Sequence, residues 1–313
     1  MPLRLISGFF TCSLNKLKYY NGFLDALDHI DELLAPSITD EVIKFGYMIV
    51  ITDTFMVAIL ILSSFLTFGK TFGELTAVEL FINIYVLLSD LSLKQQFLLS
   101  VMELWTRFRT LKAVLLESLS PLGDPRLSQL LLGWSQKLPH VELNGRLRRL
   151  QQTHLLLQRA AELLQAHVSP TLTFHVMYSM LGCIYSSYEL LVMLVVPQAV
   201  DRVLAITSVS YSVCWLFRHA FNLATMAIAC SALEEEAVRM ADLLRRAAGI
   251  TETSPEVKDF LRQVERGLHP AFSASGLLHI DRKLLVTTVS ATATYLIVLG
   301  QLGLQSTLGY GCH

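Results

Sequence analysis

Among the charged residues that interrupt the apolar blocks of this 313-residue chain are Asp53, Asp90, Lys94 and Arg218. A charge at the centre of a membrane helix costs about 2.5–3.5 kcal/mol on insertion, so the chemistry open to these groups is mutual neutralisation. Asp90 and Lys94 stand four residues apart and read as a structural pair on one helix. Asp53 and Arg218 each lie about fifteen residues below the outer end of an apolar block and predict a cross-helix ion pair. The alternative is an arginine bonded to water or carbonyls in a cavity. No grouping of nucleophile, base and acid occurs, nor a phosphate-binding loop or a metal-ligand spacing, and the nine histidines are dispersed. No enzyme activity, cofactor or metal is expected.

A second constellation lies near the C-terminus. On a helix over 283–305, Thr287, Ser290, Thr294, Gln301 and Gln305 fall within a stripe of about 60°, with Val298 filling the one gap. Lipid leaves such groups unsatisfied, so they need neighbouring helices or water. Ser and Thr alone fit helix packing, since they also bond to their own backbone. Two glutamines on the same stripe favour a hydrated path. Further up the chain, Tyr185, Tyr188, Glu189, Tyr211 and Trp215 offer aromatic faces with a few polar groups, which suits small hydroxylated or heterocyclic ligands. Interfacial belt aromatics are an equal reading for Tyr188. His219 and Asn222 lie a turn deeper and read as packing.

The elements that must position these residues are membrane helices. Hydrophobic residues make up 53% of the chain and charged ones 16%, against about 25% charged in soluble domains. The apolar excess collects into five blocks at about 42–68, 75–100, 172–196, 203–231 and 283–304, each long enough to cross ~30 Å of hydrocarbon. The fold class is therefore an all-α, polytopic membrane protein. Nineteen Lys and Arg fall in segments 1–41, 101–171 and 232–282, against only Lys70 and Arg202 in the short loops. Basic loops stay inside, which predicts a cytoplasmic N-terminus, two cytoplasmic loops and an extracellular C-terminus. Apolar residues keep helical spacing in "LKQQFLLSVMELWTRFRTLKAVLLESL", "RLRRLQQTHLLLQRAAELLQAHV" and "ALEEEAVRMADLLRRAA", so the spans are expected to continue as a packed cytoplasmic base.

The resulting organisation is a cytoplasmic segment 1–41, two spans over 42–100 and a helical loop 101–171. Two more spans over 172–231, a helical loop 232–282 and a last span with a short tail over 283–313 complete it. Cys12, Cys183, Cys214, Cys230 and Cys312 form no metal or disulfide pattern. The formal net charge of −1 gives no support to a nucleic-acid partner.

The segment Phe272–Leu302, "FSASGLLHIDRKLLVTTVSATATYLIVLGQL", resembles the C-terminal signature of the insect gustatory receptors. Their last span carries Thr-Tyr, five apolar residues, Gln and Phe, after a run of the form F-x-A-x-G-x-x-x-h-D. Here Phe272, Ala274, Gly276 and Asp281 match the run, and Thr294, Tyr295 and Gln301 match the span. Leu302 stands where the family has Phe. The resemblance implies a tastant-gated, non-selective cation channel in the plasma membrane, with four like or unlike subunits around a pore lined by the last helix. Gln301 would line the narrow part, with Leu302 at the gate and Val298 a turn below. The five spans align with the family's third to seventh, so the chain is expected to lack the first two. Two other readings stay open. One is a truncated, non-conducting receptor fragment; the other is a secondary transporter using Asp53, Asp90 and Arg218, which would need inverted repeats or mid-span helix breaks.

Overall fold

Apolar runs prolonged by amphipathic stretches produce helices here that far exceed what a bilayer requires. The structure is a computed structural model and describes residues 14–34, 40–68, 74–119, 140–195, 202–250, 255–266 and 272–309. Its elements are α1 (Leu14–Leu34), α2 (Asp40–Phe68), α3 (Glu74–Leu119), α4 (His140–Val195), α5 (Arg202–Ile250) and α6 (Pro255–Arg266), then β1 (Ser273–Ala274), β2 (Leu278–His279) and α7 (Arg282–Gly309). At 1.5 Å per residue, the 56 residues of α4 extend about 84 Å, nearly three hydrocarbon thicknesses. Pro170 sits inside α4 and removes one backbone donor without ending the helix.

Among the described residues, four stretches are long and apolar enough to cross a membrane: Gly46–Phe65, Gly145–Met193, Ser208–Ala248 and Arg282–Gln301. The block expected at 75–100 is helical, as part of α3, and is not among the four; over its described residues Asp90, Lys94, Gln95 and Gln96 interrupt the apolar run.

The main core lies in the base, beyond the apolar stretches of the long helices. Leu104, Phe108, Leu111 and Leu115 of α3 are fully buried at helical spacing. They belong to one cluster with Leu147, Leu157 and Leu164 of α4, Leu233 and Leu244 of α5, Phe23 and Ile30 of α1, and Phe260 of α6. Ion pairs edge this core: Arg107 of α3 reaches Asp31 of α1 through two hydrogen bonds of 2.9 and 2.6 Å, and Lys112 of α3 pairs with Glu236 of α5. A second, small cluster of Val57, Leu87 and Leu91 packs with Ile61 and Trp215 in the apolar half. Around it, Tyr47, Ile51, Phe55 and Leu62 of α2 and Phe81 and Tyr85 of α3 are exposed. Side chains of this kind on the outside of an apolar helix bundle suit lipid.

Candidate functional site

The buried charges pair differently from the arrangement that spacing suggests. Lys94 Nζ lies 2.9 Å from Asp53 Oδ2, and Arg218 Nη2 donates to Asp90 Oδ2 at 2.7 Å. The expected Asp53–Arg218 pair and the Asp90–Lys94 pair are thus both replaced. Residues 90 and 94 occupy successive turns of α3, which borders both α2 and α5. The lysine serves α2 and the aspartate serves α5, so every charge gains an interhelical partner. Lys94 also donates to Asn222 Oδ1 at 2.5 Å and lies 5.1 Å from the Phe221 ring centroid. The Lys94–Asp53 contact is off the hydrogen-bonding line and acts as a charge contact. His175 of α4 completes the group, its Nδ1 2.8 Å from Asp90 Oδ1. An ionised carboxylate only accepts, so that nitrogen carries the proton. Arg218 Nε and Nη1, Asn222 Nδ2, His175 Nε2 and Ser179 Oγ are buried with no hydrogen-bond partner among the described residues.

Neither His175 nor the role of Asn222 was visible in the charge pattern, although Asn222 stands one turn from Arg218 on the same helix face.

Aromatic rings rise from this layer along α5. His219 stacks on Trp215 at 5.3 Å and meets Tyr178 of α4 at 5.0 Å, and Trp215 meets Tyr211 edge-on at 6.1 Å. Trp215 also receives the Arg218 guanidinium at 5.6 Å, a cation–π contact. The His219 ring occupies the space above Gly182, where any Cβ would collide with it. Of the residues expected to hold a ligand, Tyr211 and Trp215 touch each other. Glu189 accepts from Ser212 Oγ at 3.0 Å, linking α4 to α5. Tyr185 lies beside Glu189, yet its ring is 62% exposed, and Tyr188 faces outward too.

The run from Phe272 to Asp281 folds into a two-stranded hairpin that helical periodicity does not reveal. Ser273 pairs with His279 and Ala274 with Leu278. The turn is closed by Leu277 N donating to Ala274 O at 2.9 Å, with Ser275 and Gly276 both at positive φ (53° and 73°). Two successive left-handed residues suit glycine at the second position. Phe272 is buried edge-on against Phe97 of α3 at 5.7 Å, and Ala274 is fully buried. Asp281 Oδ1 accepts from Leu284 N at 3.1 Å, capping α7. Each matched residue of the run therefore has its own physical task.

The last helix has three faces. Leu284, Thr288 and Ala291 turn toward the subunit's own core. Val286, Val289 and Ile297 form an exposed apolar face, while Thr287, Ser290, Thr294 and Gln301 form an exposed polar edge beside it. Val298 and Tyr295 are exposed as well. Thr287, Thr288, Thr292 and Thr294 each donate to the carbonyl four residues earlier, at 2.8–3.0 Å. The side chains of Leu302 and Gln305 lie outside the described residues.

Long helices that leave an apolar half together and close into one packed base define a class, the polytopic all-α membrane proteins. The solved structure of olfactory receptor OR5 from Machilis hrabei matches with a TM-score of 0.61 at 14% identity, covering 96% of this chain and 80% of that one. The same receptor in complex with eugenol matches at 0.63 and 13%, with the same coverage. No curated protein sequence matches the chain. The chain belongs to the 7tm chemosensory receptor family, whose family model matches residues 11–306.

Proposed function

We propose that the chain is a gustatory receptor subunit, a tastant-gated, non-selective cation channel that assembles as a tetramer of like or unlike copies in the plasma membrane. The observation that carries this reading is the polar edge of α7. Thr287, Ser290, Thr294 and Gln301 turn away from their own subunit and stand apart from the apolar face of Val286, Val289 and Ile297. An edge unsuited to lipid and uncovered by its own chain fits a water-filled path between subunits. Family membership and the olfactory-receptor fold support the same reading.

In this reading the N-terminus and the base are cytoplasmic and the C-terminus is outside. Tyr185, Tyr188, Glu189, Tyr211 and Trp215 receive the tastant; the solved structure of olfactory receptor OR5 in complex with eugenol supports a small-molecule ligand. The ligand binds the open arrangement better, shifts the population toward it and moves the α7 helices apart near Gln301 and Leu302.

Cysteine accessibility tests the proposal in cells expressing the chain. Charged thiol reagents are expected to modify Thr287→Cys, Thr294→Cys and Gln301→Cys and to block current, and Gln301→Ala is expected to change relative cation permeability. Modification confined to Val286→Cys and Val289→Cys, with the polar edge protected, refutes it.

A further inference from the structure

The hairpin between α6 and α7 is held by a row of polar side chains on α4. Gln165, Ser169 and Thr173 stand four residues apart in succession and share one face. Gln165 Nε2 donates to Ser273 O at 2.5 Å and to Ser273 Oγ at 3.1 Å, while its Oε1 accepts from Ser273 N at 3.3 Å. The amide thus completes the open edge of β1 as a neighbouring strand would. Ser169 Oγ accepts from Ser275 N at 2.9 Å and donates to Ser273 O at 3.4 Å. Thr173 and Ser275 share a hydroxyl bond of 2.8 Å. At its other end the hairpin runs directly into α7 through the Asp281 cap. There Ser231 Oγ of α5 accepts from Arg282 N at 3.2 Å, and Arg282 pairs with Glu235 of α5 at 3.0 Å.

A two-stranded hairpin alone is marginal in water, so this one takes its shape from the α4 row and from the burial of Phe272 and Ala274. We propose that Gln165, Ser169 and Thr173 are positioning residues for gating, which carry a displacement of α4 through the hairpin to the first turn of α7. The same rigid α4 bears Tyr185 and Glu189, with Tyr185 about 18 Å along the axis from Thr173. A ligand-driven shift at one end therefore reaches the hairpin at the other. The gating role rests on the channel reading above; the docking of the hairpin does not.

The test uses the full chain in lipid nanodiscs, followed by hydrogen–deuterium exchange, with the same variants recorded in cells at matched surface expression. Gln165→Ala is expected to speed amide exchange over 273–288 about tenfold, the effect of losing one or two ordinary hydrogen bonds. Gln165→Glu, which keeps the acceptor for Ser273 N, is expected to do less. The near-isosteric Thr173→Val removes the Ser275 bond, along with the Thr173 hydroxyl's bond to Ser169 O within α4, and is expected to give a small, local increase. Basal current should shift in the same order. Unchanged exchange over 273–288, or an increase spread evenly through α1 and α4, overturns the proposal. So does a graded exchange effect with wild-type basal current, which leaves docking without gating. A wild-type chain that carries no current refutes the channel reading and the gating role with it, while the exchange data still report whether the row holds the hairpin.

Discussion

Replacing Asp90 with asparagine strands Arg218 in a buried layer of the helix bundle. The two residues are 7% and 1% exposed, and their 2.7 Å bond is the arginine's one hydrogen bond among the described residues. Removing one partner of a buried pair costs about 3–5 kcal/mol, because the survivor keeps its desolvation penalty without its counter-charge. The double variant Asp90→Asn/Arg218→Gln removes both charges and is expected to cost about 2–3 kcal/mol less than the two single losses together. Asp53→Asn and Lys94→Gln are expected to couple in the same way. The crossed combinations, Asp53 with Arg218 and Asp90 with Lys94, should couple by less than about 1 kcal/mol. Apparent melting temperature of the detergent-solubilised protein, followed by size-exclusion fluorescence, reads these differences at roughly 2–4 °C per kcal/mol. Larger coupling in the crossed pairs than in the observed ones would refute the pairing and restore the arrangement that spacing alone suggests.

Gly182→Ala is expected to cost about 1–3 kcal/mol by overpacking, since the His219 ring in its way is held between Trp215 and Tyr178. The same melting assay checks it, and adding His219→Ala should recover part of the loss. Phe272→Ala empties a buried site against Phe97 and should cost about 3–5 kcal/mol, seen as lost surface expression. Gly276→Val places a β-branched side chain at φ 73° and should destabilise by about 1–2 kcal/mol even though the space there is open, raising local amide exchange in the hairpin. Thr294→Val removes a hydroxyl that, among the described residues, bonds only to its own helix, so its melting temperature should stay within about 2 °C of wild type.

The helices were legible because their cause is local. The row from Leu104 to Leu115 repeats at helical spacing in the sequence and is buried at that spacing in the fold. The polar edge of α7 followed from the same periodicity, and residues 287, 290, 294 and 301 do share an exposed side. Partnership was less legible. Residues 90 and 94 are one turn apart on α3, which makes them neighbours, but their partners are chosen by α2 and α5 across the interface. His175 entered that network from 85 positions away, a distance at which spacing carries no signal. The hairpin escaped because its strands are two residues each, too short for an alternation to register. Its run of Phe272, Ala274, Gly276 and Asp281 was readable as a pattern, yet the tasks of the four residues emerge only with the turn and the cap in place.

The threonines of α7 have a mechanical consequence. Among the described residues, the hydroxyls of Thr287, Thr288, Thr292 and Thr294 are each answered by a carbonyl of their own helix, and none is seen to anchor α7 to a neighbouring helix. Beyond its first turn, where Arg282 is held to Ser231 and Glu235 of α5, such a helix can roll while every threonine hydroxyl bond travels with it, against the shallow resistance of van der Waals contacts. Its fixed point is the capped end at Asp281, which makes the far end the one that swings.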